Sequence, residues 1–347
     1  MMEAGPSTMD YQDLARRSLN GDAPGREEAE AIINAPADDI LPILHAAFRV
    51  RREFFGRKVQ IHLLVNAKSG LCPEDCAYCS QSAVSSARIE KYRLMDEAAL
   101  LQGAKRAVAA KSRRYCIVIS GRGPTEEEID HIGSAVRRIK AETDLSICCS
   151  LGILGAAEAG RLQAHGVDRL NHNLNTSERH YPSICSTHTY ADRLQTLRSA
   201  RGAGMELCSG VIFGQGESSE DIYDVCRALR ALQPESIPVN FLHALGGTPL
   251  AETTALGAAR CLRLLCLVRF FNPRSEIRVA GGREIQLGTL QPLALYPANS
   301  IFVSGYLTTP GQPPDEAHRM IRDMGFEVDV AGESDPRPLQ ATHEPSP

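Results

Sequence analysis

Three cysteines stand at C-x3-C-x2-C in Gly70-Leu71-Cys72-Pro73-Glu74-Asp75-Cys76-Ala77-Tyr78-Cys79. Three thiolates at this spacing can fold around one small inorganic group, and their number is informative. A closed structural zinc site takes four protein ligands, whereas a cubane [4Fe-4S] cluster held by three leaves one iron open to a substrate or cofactor. No further Cys-x-x-Cys or His pair nearby offers a fourth ligand, which favours an open iron-sulfur cluster over a zinc clip.

A second set is scattered along short β-rich runs: Cys116 in Tyr115-Cys116-Ile117-Val118, Cys148 in Ile147-Cys148-Cys149-Ser150, Cys208 in Leu207-Cys208-Ser209-Gly210, and Arg278 in Ile277-Arg278-Val279-Ala280. Each cysteine taken alone reads as a small core residue, and the set carries weight only together. An arginine inside an apolar strand is costly unless paired. Cys149 rivals Cys148, because neighbours on a strand face opposite sides, and spacing does not choose between them. Cys226, Cys261 and Cys266 fall on apolar helix faces and read as core. Asn171, Asn173 and Asn175 alternate along one stretch, where amides suit a ribose, a carboxylate or a urea-like group, or else satisfy their own loop through Asx turns. Asn240 invites the same reading. Gly214-Gln215-Gly216-Glu217 and Gly121-Arg122-Gly123-Pro124 do not complete a dinucleotide fingerprint, and the ten histidines show no H-E-x-x-H pair.

The elements that must position these residues alternate. Candidate strands are 59–65, 115–120, 145–151, 167–173, 205–213, 236–241, 276–280 and 299–303, and eight is the count of a closed barrel. Between them run amphipathic helices. Thr125-Glu126-Glu127-Glu128 is a capping box before Ile129, Ile132, Val136 and Ile139, and Ile222, Val225, Leu229 and Leu232 repeat the pattern. Residues 1–58 read as a helical extension, with apolar spacing at Leu14, Ile32, Ile33 and Ile43, and with Asp38 and Asp39 at a cap; Arg49, Arg51 and Arg52 coat a helix end. A last helix follows Pro310 to Pro314. The expected organisation is a helical extension over 1–58, an α/β barrel of the (β/α)8 TIM type over 59–330, and a disordered tail over 331–347 rich in Pro, Glu and Ser.

The 347 residues are 43% apolar and 23% charged, ample for a large core. A net charge of -4 gives no reason to expect nucleic acid or an anionic membrane as partner. No leader pattern and no membrane-length apolar run is seen, so the expectation is a cytoplasmic protein whose eleven cysteines are reduced and serve packing, metal or catalysis.

With these residues in view, the sequence resembles the biotin synthase family of the radical S-adenosylmethionine (SAM) superfamily. The resemblance runs from Val59 to Val330. It rests on the cysteine motif through Gln81-Ser82, on Asn171 to Ser177, on Cys208-Ser209-Gly210, on Asn240 with Gly247-Thr248-Pro249-Leu250, and on Arg278-Val279-Ala280-Gly281-Gly282-Arg283-Glu284. It implies a (β/α)8 barrel in which Cys72, Cys76 and Cys79 hold a [4Fe-4S] cluster that binds SAM. Tyr78 would lie against the adenine, Asn173 and Asn175 beside SAM, and Asn173 and Asn240 beside dethiobiotin. Cys116, Cys148, Cys208 and Arg278 would hold a [2Fe-2S] cluster, with Cys208 and Arg278 at the centre of the sulfur chemistry, and this selects Cys148 over Cys149. Breaking unactivated C–H bonds lies beyond side-chain acids and bases, so the cofactors carry that chemistry. Arg278 is an unusual ligand, since guanidinium is almost always protonated. Many relatives carry Asp where this chain has Asn175, which removes a charged acceptor. The family further implies a flavodoxin or ferredoxin as electron donor and a homodimer. A sister radical SAM enzyme without the inner ligand set and a non-catalytic iron-sulfur or zinc scaffold are the competing readings.

Overall fold

The structure is a computed structural model and describes residues 9–330. The expected tail over 331–347 lies outside them. Three helices come first: α1 (Tyr11–Leu19), α2 (Arg26–Ile33) and α3 (Ile40–Phe55). Asp10 caps α1 by accepting from the Gln12 and Asp13 amides at 2.9 and 3.0 Å. Asp39 has no capping bond and instead accepts from the Tyr11 hydroxyl at 2.7 Å. α1 packs on α3, and α3 packs in turn on a later barrel helix. Arg51 corrects the expectation of a surface arginine run. It is fully buried at the foot of α3, donating to the carbonyls of Gly56, Lys58 and Ala298 and so tying the extension to the entry of the barrel.

The chain then alternates β1 (Lys58–Lys68), α4 (Glu97–Ala109), β2 (Arg114–Ile119), α5 (Glu126–Glu142), β3 (Ser146–Ser150), α6 (Ala156–Ala164), β4 (Arg169–Asn171), α7 (Tyr190–Gly202), β5 (Glu206–Cys208), β6 (Val211–Phe213), α8 (Ser219–Leu232), β7 (Ser236–Phe241), α9 (Ala258–Phe271), β8 (Glu276–Val279), α10 (Arg283–Leu287), β9 (Ser300–Val303), α11 (Pro314–Asp323) and β10 (Glu327–Asp329). All strand pairings are parallel, and β1 pairs with both β2 and β9, which closes eight positions into a barrel. The Thr125 box opens α5 as expected, Thr125 Oγ1 accepting from the Glu128 amide at 3.2 Å and the Glu128 carboxylate from the Thr125 amide at 3.0 Å. β10, missed in the sequence because two of its three residues are acidic, pairs with Lys58–Gln60 at the foot of β1.

The fifth position differs most from expectation. One strand over 205–213 is in fact two, and β5 meets β7 at the single pair Cys208↔Ser236 before β6 resumes at Val211↔Val239. The break falls at Gly210, where a Cβ would lie 1.9 Å from the Pro238 carbonyl oxygen. Gly210→Ala must therefore push two strands apart, and a loss of about 3 kcal/mol in urea unfolding is expected.

Candidate active site

The cysteine motif lies in the loop that leaves the C-terminal end of β1, the end at which sites form in this architecture. The segment before α7 pins it. The Ala77 amide donates to Ile184 O at 2.9 Å, the Ser186 amide to Asp75 Oδ1 at 3.0 Å, and Thr187 Oγ1 to Glu74 Oε2 at 2.7 Å. Burial pushes the Glu74 carboxyl up, but hydrogen bonds from Thr187, His188 and Arg122 outweigh it and hold the group below its ordinary value.

A single cavity of about 400 Å³ opens above, and every site residue expected from the sequence lines it: Cys72, Cys76, Tyr78, Cys79, Cys116, Cys148, Asn173, Asn175, Cys208, Asn240 and Arg278. The inner cysteines come from three strands. Cys148 pairs in register with Cys116 and packs with Cys116 and Cys208 in a small group of buried thiols flanked by Leu64 and Phe302. Cys149 points the other way into the main apolar core, so strand register resolves the choice that spacing left open. Hydrogen bonding to Cys148, then burial, pushes the Cys208 thiol up. Asn171 Nδ2 donates to Cys208 Sγ at 3.1 Å, and Arg278 Nη1 approaches the same sulfur at 3.8 Å.

The asparagines sit between the two cysteine sets but not in simple alternation. Asn175 is in the left-handed region, φ 69°, and its Nδ2 donates to the Tyr78 hydroxyl at 2.6 Å, linking strand end to motif loop. Asn173 Oδ1 accepts from the Gly210 amide at 3.0 Å. Asn240 is more committed to the scaffold than expected: Oδ1 accepts from the Gly281 amide at 2.9 Å and Nδ2 donates to Val211 O at 3.0 Å.

Several residues were missed by sequence reasoning. Arg193, on α7, is buried and donates to Asn173 O at 2.8 Å, to His188 Nε2 at 2.9 Å and to the Tyr181 hydroxyl. Cys185 Sγ lies 3.8 Å from Cys76 Sγ. Beneath the inner cysteines lies a charged layer of His62, Arg114, Arg169 and Glu276, all nine-tenths buried or more. A signal for it existed: Arg114 stands two residues before Cys116, and Glu276 two before Arg278, the strand period that returns a side chain to the same face.

Whether these donors fit iron-sulfur clusters is testable on the geometry. Among the described residues, the ligand atoms that all lie within 4.8 Å of one another are those of Cys76, Cys185 and His188, and the motif trio is not such a group. His188 has both ring nitrogens occupied, one by Glu74 and one by Arg193, which leaves it unsuited to a metal. Cys72, Cys76 and Cys79 do not converge tightly enough for a single ion, and a three-thiolate set fits a cubane with an open iron. In the inner set, Arg278 Nε and Arg114 Nε and Nη1 are buried donors without partners, facing a trio of thiols. An anionic inorganic group fits there.

Two buried histidines set an acid limit. Burial pushes His62 down to about 3 and His172 well below the ordinary 6.5, so both are neutral in the folded chain and take up protons on unfolding. Stability is therefore complete above pH 6.5 and falls as the pH drops below it, by about 1.4 kcal/mol per pH unit for each histidine. Urea unfolding at pH 7 and pH 5 measures this, and an unchanged midpoint contradicts it.

The Radical SAM superfamily profile matches residues 68–229 and the Biotin and Thiamin Synthesis associated domain profile residues 238–327. Biotin synthase of Bacillus subtilis (strain 168) is 51% identical over 93% of this chain and 96% of its own length, and that of Geobacillus kaustophilus (strain HTA426) is 51% identical over 92% and 96%. Among solved structures, methylornithine synthase (PylB) superposes with TM-score 0.81 at 18% identity, covering 92% of this chain and 98% of that one. The FeFe-hydrogenase maturase HydG from Carboxydothermus hydrogenoformans gives 0.76 at 17%, covering 92% and 79%. The solved structures share the fold, and the near full-length identity to the curated enzymes goes further: the chain belongs to the biotin synthase family.

Proposed function

We propose the following division of roles in the reaction of a biotin synthase, sulfur insertion into dethiobiotin with SAM. Cys72, Cys76 and Cys79 hold the [4Fe-4S] cluster, and Cys116, Cys148, Cys208 and Arg278 hold the [2Fe-2S] cluster. When bound, the outer cluster supplies the electron that cleaves SAM to a carbon-centred radical, and the inner cluster supplies the sulfur. The observation that carries this reading is that both cysteine sets line one cavity, one from the loop after β1 and one from the strands, together with the asparagines.

The chain's own residues orient and enclose. Tyr78 is braced by Asn175 from below, which suits it to support an adenine. Arg193 fixes the backbone of Asn173 through its carbonyl, so that the amide side chain keeps one orientation toward SAM and substrate. Asn240, held at both ends by backbone, presents its remaining N–H to the substrate without needing to reorder. Asn175 serves a ribose hydroxyl as a neutral partner. The apolar wall of Leu64, Ile212 and Phe302 keeps water away from the reacting carbons.

An external one-electron donor, flavodoxin or ferredoxin, a homodimeric assembly and a cytoplasmic location belong to the same reading. No helix among the described residues is long and apolar enough to cross a membrane. The test is anaerobic reconstitution with iron and sulfide, followed by incubation with SAM, a reductant and dethiobiotin. Biotin formation with loss of the inner-cluster absorbance is expected. Release of methionine and 5′-deoxyadenosine without biotin would instead indicate a sister radical SAM activity.

A further inference from the structure

Arg278 is gripped from one side. Its Nη2 donates to Glu276 Oε1 at 2.6 Å and to Ser236 Oγ at 2.9 Å, while Nη1 lies 3.8 Å from Cys208 Sγ and Nε has no partner. A guanidinium has five N–H donors in a rigid plane. With both Nη2 donors engaged, the Nη1 donors are the ones left for the cysteines. The ring of Phe302, 4.8 Å from the guanidinium carbon, covers a face of that plane.

Glu276 cannot follow Arg278, because other strands hold it. Oε1 also accepts from Ser300 Oγ on β9 at 2.7 Å, and Oε2 accepts from Arg169 Nη1 on β4 at 2.8 Å. His62 Nε2 on β1 stands 3.1 Å from Oε1, although not aligned as a hydrogen bond. Arg169 is itself paired with Glu206 on β5. A carboxylate so tethered is a fixed point, and a rigid bidentate cation beside it takes its orientation from that point.

We propose that Glu276 is the positioning residue that aims the Nη1 edge of Arg278 at the inner cluster. The inference rests on the reading of Arg278 as a ligand of that cluster. Glu276 itself is not among the residues that line the cavity.

The test uses full-length, anaerobically reconstituted enzyme and reads the visible circular dichroism and the reduction potential of the inner cluster in Arg278→Ala, Glu276→Gln and Glu276→Asp. Gln is isosteric and can serve one guanidinium but not two; Asp keeps the charge with a side chain one methylene shorter. Both are expected to shift the signature in the same direction as Arg278→Ala, with the outer cluster's spectrum and SAM binding unchanged. A wild-type signature in Glu276→Gln beside a shifted Arg278→Ala overturns the proposal. So does rescue by Asp, which would make charge rather than reach the cause. If Arg278→Ala itself matches the wild type, the ligand reading fails first and the proposal with it. Should neither Glu276 variant fold, Ser300→Ala releases one tether of Glu276 without unpairing a buried charge. The same direction of shift is then required, and a wild-type signature overturns the proposal.

Discussion

Cys76→Ala is expected to abolish SAM cleavage while leaving the inner cluster in place. Cys76 is the buried member of the motif trio, held in a loop whose geometry is set by Ile184, Ser186 and Thr187. Alanine fills the site without disturbing those backbone contacts, so the loss is of one thiolate and not of the loop. Two remaining cysteines do not hold a cubane, and Cys185, at 3.8 Å from the missing sulfur, is already hydrogen-bonded to Asp75 and His188. Release of 5′-deoxyadenosine should drop to the no-enzyme background, with the [2Fe-2S] absorbance retained. Continued SAM cleavage would remove the outer-cluster assignment.

The second large effect belongs to Cys208→Ala. Its sulfur is the one that Asn171 and Arg278 both approach, and it lies with Cys116 and Cys148 in one buried group. Without it the inner cluster should be lost or spectrally altered, and biotin should fall to background, whereas SAM is still cleaved because the outer trio is untouched. Iron and sulfide content, the visible spectrum and the ratio of 5′-deoxyadenosine to biotin measure the three parts separately. A normal biotin yield from this variant excludes Cys208 from the sulfur chemistry.

Much of this was legible in the sequence because two periodicities were clean. The helix stripe of Ile129, Ile132, Val136 and Ile139 and its capping box identify α5, and the β-rich runs between such stripes number eight. The motif spacing pointed to an open cluster site in the loop after β1, and the later motifs narrowed the family. The inner site was legible as a set of residues but not as a geometry, since spacing does not say which of Cys148 and Cys149 turns inward. That depends on the pairing of Cys148 with Cys116 and Arg169 across β2 and β4, a tertiary fact. The charged layer escaped notice because Arg114, Arg169 and Glu276 each begin a strand, where a charge ordinarily marks solvent. Closing the barrel turns those starts into its floor, where Glu206 and Glu276 pair with Arg114 and Arg169. Asn171, Asn173 and Asn175 all reach the cavity, but Asn175 does so from a positive φ, which alternation does not foresee.

The split between β5 and β6 has one more consequence, for upkeep. An enzyme that consumes an inner cluster must admit iron and sulfide again at the bottom of a narrow well. At the fifth position the pairing to β7 is interrupted between Cys208↔Ser236 and Val211↔Val239. An interrupted ladder lowers the local opening free energy, so this seam should breathe before the continuous β1–β2 and β2–β3 seams. Hydrogen exchange at 206–213 faster than in β2 and β3 is the expected sign. The strand that carries Cys208 would then also be the hinge of the service door.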